Sequence, residues 1–153
     1  MAPAKLDVTA VIAAPPGRVM KAFFDGEALQ AWWQVSRSVT TPRALGAYAI
    51  EWPPTDFRDD ILGRLGGVFR GTVMQCRAGE GFFVSDAFWL PPDGDPIGPM
   101  ALDVSLQAGP DGATRVHVVQ TGFEETPRWR RYYEVIGVGW ERALRSLKSL
   151  LEP

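Results

Sequence analysis

Few residues of this chain have side chains that could carry chemistry. One histidine, His117, and one cysteine, Cys76, occur in 153 residues, too few donors for a convincing metal site. The sequence has no Gly-rich phosphate loop, HExxH, CxxC or GxSxG, so the common phosphate, zinc, redox and nucleophile-elbow chemistries have no foothold. Cys76 closes a predicted strand and reads as a small buried hydrophobe in preference to a nucleophile. Asp86 sits inside the aromatic run Phe82-Phe83-Val84-Ser85-Asp86-Ala87-Phe88-Trp89. Facing outward it is simply solvated; facing inward it is desolvated, with a raised pKa suited to general acid or base work. Both faces of that run are apolar, so alternation leaves the direction open. In the run Thr114 to Thr121, Val116 and Val118 face inward, which turns Gln120 inward with them and His117 outward. A buried Gln120 needs a partner, and a tyrosine hydroxyl of Tyr132 or Tyr133, or a ligand group, would serve. Asp86 and Gln120 are therefore the only catalytic candidates, and enzymatic activity is the less favoured reading.

The aromatic load is the stronger signal. Six tryptophans are present, and Trp32, Trp33, Trp52, Trp89 and Trp140 fall on elements that should converge. They build either a large aromatic core or a pocket lined by apolar rings with few polar groups. The candidate wall is Trp32, Trp33, Trp52, Phe83, Trp89, Gln120, Tyr132, Tyr133, Ile136 and Trp140. Trp129, among arginines, reads as exposed near the mouth.

Those side chains must be held by a long helix. From Pro127 to Leu151, Trp129, Tyr132, Tyr133, Ile136, Trp140, Ala143, Leu144, Leu147, Leu150 and Leu151 project within a stripe ~120° wide at ~100° per residue. Arg130, Arg131, Glu134, Glu141, Arg142, Arg145 and Lys148 form the wet side, and Pro127 suits the first turn. Gly137 and Gly139 fall on the shoulders of the stripe. Each costs up to about 1 kcal/mol in a helix interior, so each should leave room, either for a strand or for a bound molecule beside Trp140.

The elements before the helix read in order as α+β. Lys5 to Ile12 alternates as a strand with one buried face. Short helices follow at Arg18 to Phe24 and, N-capped by Asp25, at Glu27 to Trp33. Val35 to Thr40, Ala47 to Trp52, Phe69 to Cys76, Gly81 to Leu90, Met100 to Gln107 and Thr114 to Thr121 then read as strands joined by short turns. That order predicts a curved antiparallel sheet of about six to seven strands with the long helix across its concave face. Pro53 to Gly67 is longer than a hairpin needs. It contains a possible helical turn and could be a lid over the open end of the sheet or a packed loop.

Composition sets the outer limits. The length fits one domain, 1–153. Hydrophobic residues make up 46% and charged residues 22%, with a net charge of −2. No basic stripe invites nucleic acid. No apolar run is long enough for a membrane span, and the first residues do not read as a leader. A lone cysteine fits a reducing compartment, so the expected address is cytoplasmic, with no cofactor and no metal.

At this point the order of elements meets a resemblance. The segments VTAVIAAPPGRVMKAFFDGEALQAWW (Val8 to Trp33), GTVMQC (Gly71 to Cys76), GATRVHVVQTGFEE (Gly112 to Glu125) and GWERALRSLKSLLE (Gly139 to Glu152) resemble the helix-grip fold of the START-like SRPBCC superfamily. Specifically, they resemble the branch similar to the activator of the ninety-kilodalton heat-shock-protein ATPase. The resemblance covers nearly the whole chain in matching order. It implies a cavity between the long helix and the sheet, closed by the two short helices, that takes a hydrophobic or amphipathic small molecule. Alternatively it implies a co-chaperone-like surface for a protein partner such as a chaperone, in a stress response. A third implication is a cavity enzyme of cyclase, hydrolase or dehydratase type. The chain departs from the pattern at Gln120, where many relatives carry histidine, and in the length of Pro53 to Gly67.

Overall fold

The computed structural model describes residues 5–153. Alternation of apolar residues builds β1 (Lys5–Ile12), and Pro15-Pro16 ends it and starts α1 (Pro16–Ala22). This helix begins earlier than expected because Pro16 occupies the first turn, where a missing N–H costs nothing. Asp25 caps α2 (Gly26–Trp33) by accepting from the Ala28 N–H at 3.0 Å. β2 (Arg37–Thr40), β3 (Ala47–Trp52), β4 (Arg58–Asp59), β5 (Gly63–Arg64), β6 (Gly67–Arg77), β7 (Gly81–Leu90), β8 (Ile97–Ala108) and β9 (Thr114–Thr121) follow, then α3 (Pro127–Leu151). Thr126 caps α3, its hydroxyl accepting from the Trp129 N–H at 3.1 Å.

The main sheet is antiparallel with seven strands in the order β1-β9-β8-β7-β6-β3-β2. Its concave face carries Leu6 and Ile12 of β1, Val116, Val118 and Gln120 of β9, and Leu102, Val104 and Leu106 of β8. Phe82, Val84 and Trp89 of β7, Phe69 and Val73 of β6, and Tyr48 and Ile50 of β3 complete it. Trp140, Ala143, Leu144 and Leu147 of α3 close over this face.

The short helices are tied in through orphan carbonyls. The last turn of α1 leaves C=O groups without intrahelical partners. The Trp32 indole N–H donates to Ala22 O at 2.9 Å, the Tyr48 hydroxyl to Phe23 O at 2.9 Å, and the Thr40 hydroxyl to Phe24 O at 2.6 Å. One helix end is thereby fixed to α2, β3 and β2 together.

Two details depart from the sequence reading. Pro53 to Gly67 holds no helical turn: Arg58–Asp59 pairs with Gly63–Arg64 as a small two-stranded hairpin, because the Asp59 carboxylate binds the Ile61 and Leu62 N–H groups and tightens the turn between them. Trp129 is buried, edge-on to Phe123 and Tyr132. It lies on the apolar stripe of α3, and the arginines beside it in sequence project from the other side. No helix among the described residues is long and apolar enough to cross a membrane.

Candidate functional site

Where α3 leaves the sheet toward β3, β6 and β7, the grip does not close. A cavity of about 630 Å³ lies there. Its floor is Phe69 and Trp89, one wall is Trp32, Trp33 and Trp52, and the opposite wall is the α3 face from Tyr132 through Ile136, Gly139 and Trp140 to Ala143 and Ser146. Pro53, Thr55, Phe57, Leu65 and Gly66, from the long connection, form the rim. Small residues on α3 make the space. A Cβ on Gly139 would meet no atom within 4 Å, whereas one on Gly137 would sit 3.4 Å from Leu6 Cδ1. One glycine accommodates a strand side chain, and the other faces the hollow.

Most of the aromatic wall presents carbon, because the indole N–H groups of Trp32, Trp52, Trp89 and Trp140 are engaged inside the protein. The Trp52 indole N–H donates to Trp33 O at 3.0 Å, that of Trp89 to Gly66 O at 2.7 Å, and that of Trp140 to Gln120 Oε1 at 3.0 Å. Trp33 stacks on Trp32 at 4.8 Å between centroids, meets Trp52 edge-on at 5.3 Å and tilts against Trp140 at 4.8 Å. These contacts lock the rings, so the cavity's shape is set before any ligand arrives.

Behind the wall lies a buried polar cluster. Gln120 is 1% exposed. Its Nε2 donates to the Tyr132 hydroxyl at 3.2 Å and lies 3.2 Å from Met100 Sδ, while its Oε1 accepts from Trp140. No buried side-chain N or O among the described residues is left without a partner. Burial pushes the Tyr132 hydroxyl well above the ordinary tyrosine range, so it is a neutral donor and acceptor at physiological pH.

The rim is held by ion pairs. Arg131 of α3 binds Asp59 with Nε at 2.8 Å and Nη2 at 2.7 Å from Oδ1. Arg64 binds Asp93 through Nε at 3.0 Å and Nη2 at 3.1 Å. The Arg131 hydrogen bond, with the Leu62 and Ile61 N–H groups, holds the Asp59 carboxyl at about 2. A folded-state value depressed below the ordinary 3.8 contributes stability that is present above about pH 4 and lost as pH falls through about 2. The Asp59 side chain is only 8% exposed, so Arg131→Ala should cost about 1–2 kcal/mol at pH 7. Thermal unfolding of both proteins from pH 7 to pH 2 checks this: the gap should narrow below about pH 4, and a gap constant with pH would refute the latch.

The predicted site residues separate. Trp32, Trp33, Trp52, Trp89, Tyr132, Ile136 and Trp140 come together on the cavity, with Gln120 directly behind it. Phe83 does not join them. It alternates with buried Phe82 and Val84, which takes its ring to the opposite face of the sheet. Tyr133 is also elsewhere, edge-on to Phe123 at 5.1 Å. Asp86 is exposed and off the cavity wall. It occupies a β-bulge with φ 50°, where Gly71 opposite allows the approach: a Cβ there would lie 2.6 Å from Val84 Cγ1. Asp86, Gln120 and a tyrosine therefore do not form one constellation. His117 is partly exposed and pairs with Asp7 Oδ1 at 2.5 Å, a bond that lowers the Asp7 carboxyl. Burial raises the Cys76 thiol, which suits a packed side chain better than a thiolate nucleophile. No group of three or more His, Cys, Asp or Glu among the described residues could hold a metal ion.

Sequence reasoning missed Gln34, Phe69, Leu65, Arg142 and the rim residues. Val135, Gly139, Ala143 and Ser146 recur at helical spacing as a stripe of small side chains, the one signal that could have revealed this wall.

Comparison with known proteins gives a consistent answer. No curated protein matches the chain. Among solved structures, protein MLL2253 from Mesorhizobium loti superposes with a TM-score of 0.72 at 21% identity, covering 96% of each chain. Protein CV1439 from Chromobacterium violaceum gives 0.71 at 27% identity over 99% of each chain. The Aha1 dimer from Colwellia psychrerythraea, a solution structure, gives 0.66 at 18% identity over 97% of this chain and 96% of that one. The family model described as Activator of Hsp90 ATPase homolog 1-like protein matches residues 13–152. With the sheet order, the gripping helix and the hollow beneath it already in place, the chain belongs to the Activator of Hsp90 ATPase homolog 1-like family.

Proposed function

We propose that this chain works as one helix-grip domain that binds a hydrophobic or amphipathic small molecule in the cavity beside Trp140. The observation that carries the reading is a preformed hollow of about 630 Å³ walled by locked tryptophans whose indole N–H groups at Trp52, Trp89 and Trp140 are already satisfied within the protein. Such a wall gains free energy by covering apolar surface and offers little to a polar solute. The volume lies within the usual range of small-molecule sites, roughly 300–1,000 Å³.

Thermal unfolding with methyl pyrenebutyrate, a neutral aromatic ester, tests it. At about one hundred times the dissociation constant the ligand should stabilise the fold by about 2.7 kcal/mol, raising Tm by about 5–10 °C. Tryptophan emission should fall as energy passes to the pyrene. No shift and no quenching, with this ester and with aliphatic esters of similar size, would remove the reading.

A second reading, docking on a protein partner as a co-chaperone-like module, is favoured by the family description and by exposed apolar side chains around the β2–β3 turn. Leu45 is 77% and Val39 62% exposed, and the Leu45 N–H binds Val73 O beside exposed Met74. It expects an apolar patch that buries on a partner and no response to small molecules.

A further inference from the structure

The apolar walls leave the polar end of a ligand to the rim, and the rim is not neutral. Of the residues lining the cavity, only Arg142 carries charge at neutral pH. Its helical neighbours at three and four residues are Val138, Gly139, Arg145 and Ser146, so no carboxylate on its own helix neutralises it. Among the described residues Arg142 has no ion pair with a carboxylate, and it is the one such arginine that lines the cavity. Arg128 is satisfied by the Asp95 carbonyl.

Gln34 supplies the second observation. It ends α2 in the left-handed region, φ 57° and ψ 32°, the position where glycine is the favoured residue. Glutamine there carries a Cβ in a conformation that disfavours one. Its side chain lines the same cavity as Arg142, is exposed, and makes no hydrogen bond to another described residue. An amide held at an energetic cost, at the mouth of a largely apolar hollow, points to use by something outside the chain.

We propose that the ligand is an amphipathic monoanion, an apolar body bearing one carboxylate, and that Arg142 and Gln34 receive the carboxylate while the tryptophan walls cover the body. The inference rests on the cavity reading above and adds its chemical class. A guanidinium offers paired N–H donors that match a carboxylate, and the glutamine NH2 adds another. A cationic ligand meets repulsion from Arg142. A second anionic group finds no second cation on the wall.

Titration of tryptophan emission with pyrenebutyrate, its methyl ester and pyrenebutylamine tests this. The acid should bind about fivefold more tightly than the ester, an advantage suited to an exposed ion pair and reduced by added salt, and the amine should bind most weakly. Arg142→Gln should bring the acid down to the ester's affinity and leave the ester unchanged. Gln34→Gly should weaken the acid alone while raising Tm by about 2–4 °C. Competition against bound pyrenebutyrate by dodecanoate and by naphthoate distinguishes an aliphatic from an aromatic body. Displacement by either supports the class, and displacement by neither overturns it. Equal affinity for acid and ester, or an acid affinity untouched by Arg142→Gln in a protein of normal Tm, overturns the anion inference and leaves the cavity reading standing. Failure of every pyrene compound and of the aliphatic esters to bind overturns both.

Discussion

Gln120→Leu should unfold about 10 °C below the parent protein. The substitution keeps the volume of a side chain that is 1% exposed, so little of the loss comes from a cavity. What it removes is the acceptor of the Trp140 indole N–H and the donor to the Tyr132 hydroxyl. Two buried polar groups are then left without partners, at about 1–3 kcal/mol each. A total of about 3–4 kcal/mol converts to that Tm change at about 2–4 °C per kcal/mol for a chain of this size. The parent side chain itself gains little, because its amide also had to leave water; the asymmetry lies in what is orphaned. Adding Tyr132→Phe to Gln120→Leu should therefore recover about 1 kcal/mol, since the stranded hydroxyl disappears with it. Urea unfolding of the two single variants and the double variant checks this. Purely additive losses would mean that the cluster is not a unit.

Filling the hollow is the second large effect. Gly139→Trp should abolish the Tm rise produced by methyl pyrenebutyrate while leaving the unliganded fold at least as stable as the parent. The Cβ of any residue at this position meets no atom within 4 Å, and Gly139 sits exposed on the cavity wall, so a bulky ring has room to fold over the hollow. Replacing a helix-interior glycine also removes a propensity cost of up to about 1 kcal/mol. Gly139→Ala serves as the control. It should raise Tm by about 2–4 °C and leave ligand binding nearly intact, because one methyl group takes up little of about 630 Å³. Binding that survives Gly139→Trp would place the ligand elsewhere on the molecule. Circular dichroism at 222 nm would show whether the helix content is unchanged.

The ionic fastening of the rim gives the cavity a wall that is not part of the grip itself. Asp59 and Asp93 both have carboxyls held at about 2 by arginine partners. One pair joins the small hairpin to α3, and the other joins it to the connection after β7. The rim is therefore fixed by charge at neutral pH, whereas the floor and walls are fixed by packing.

Much of this architecture was legible in the residues. Alternation in Lys5 to Ile12 and in Thr114 to Thr121, the cap at Asp25 and the stripe from Trp129 to Leu151 are local patterns. Each follows from the repeat of a strand or a helix, and each is found where expected except at Leu150, which was counted on the stripe and is exposed. Parity alone turned Gln120 inward and pointed to a tyrosine hydroxyl as its partner, because a buried amide must be satisfied. In β7 the same parity gave no direction for Asp86, because both faces of the run are apolar. One extra residue at the Asp86 bulge shifts the alternation, and Gly71 on the neighbouring strand makes room for it. Pro53 to Gly67 misled for a related reason: its hairpin depends on Arg131 and Asp93, which lie far along the chain.

The sequence by itself determined the order of elements, the gripping helix and the supply of tryptophans, since these depend on near-neighbour periodicity and composition. Tertiary structure alone decided that the rings of Trp33, Trp52, Trp89 and Trp140 surround a space, and that Arg142 and Gln34 share its rim. A hollow is the part of a fold left unoccupied when distant elements meet, so it leaves no repeat in the chain for a reader of residues to find.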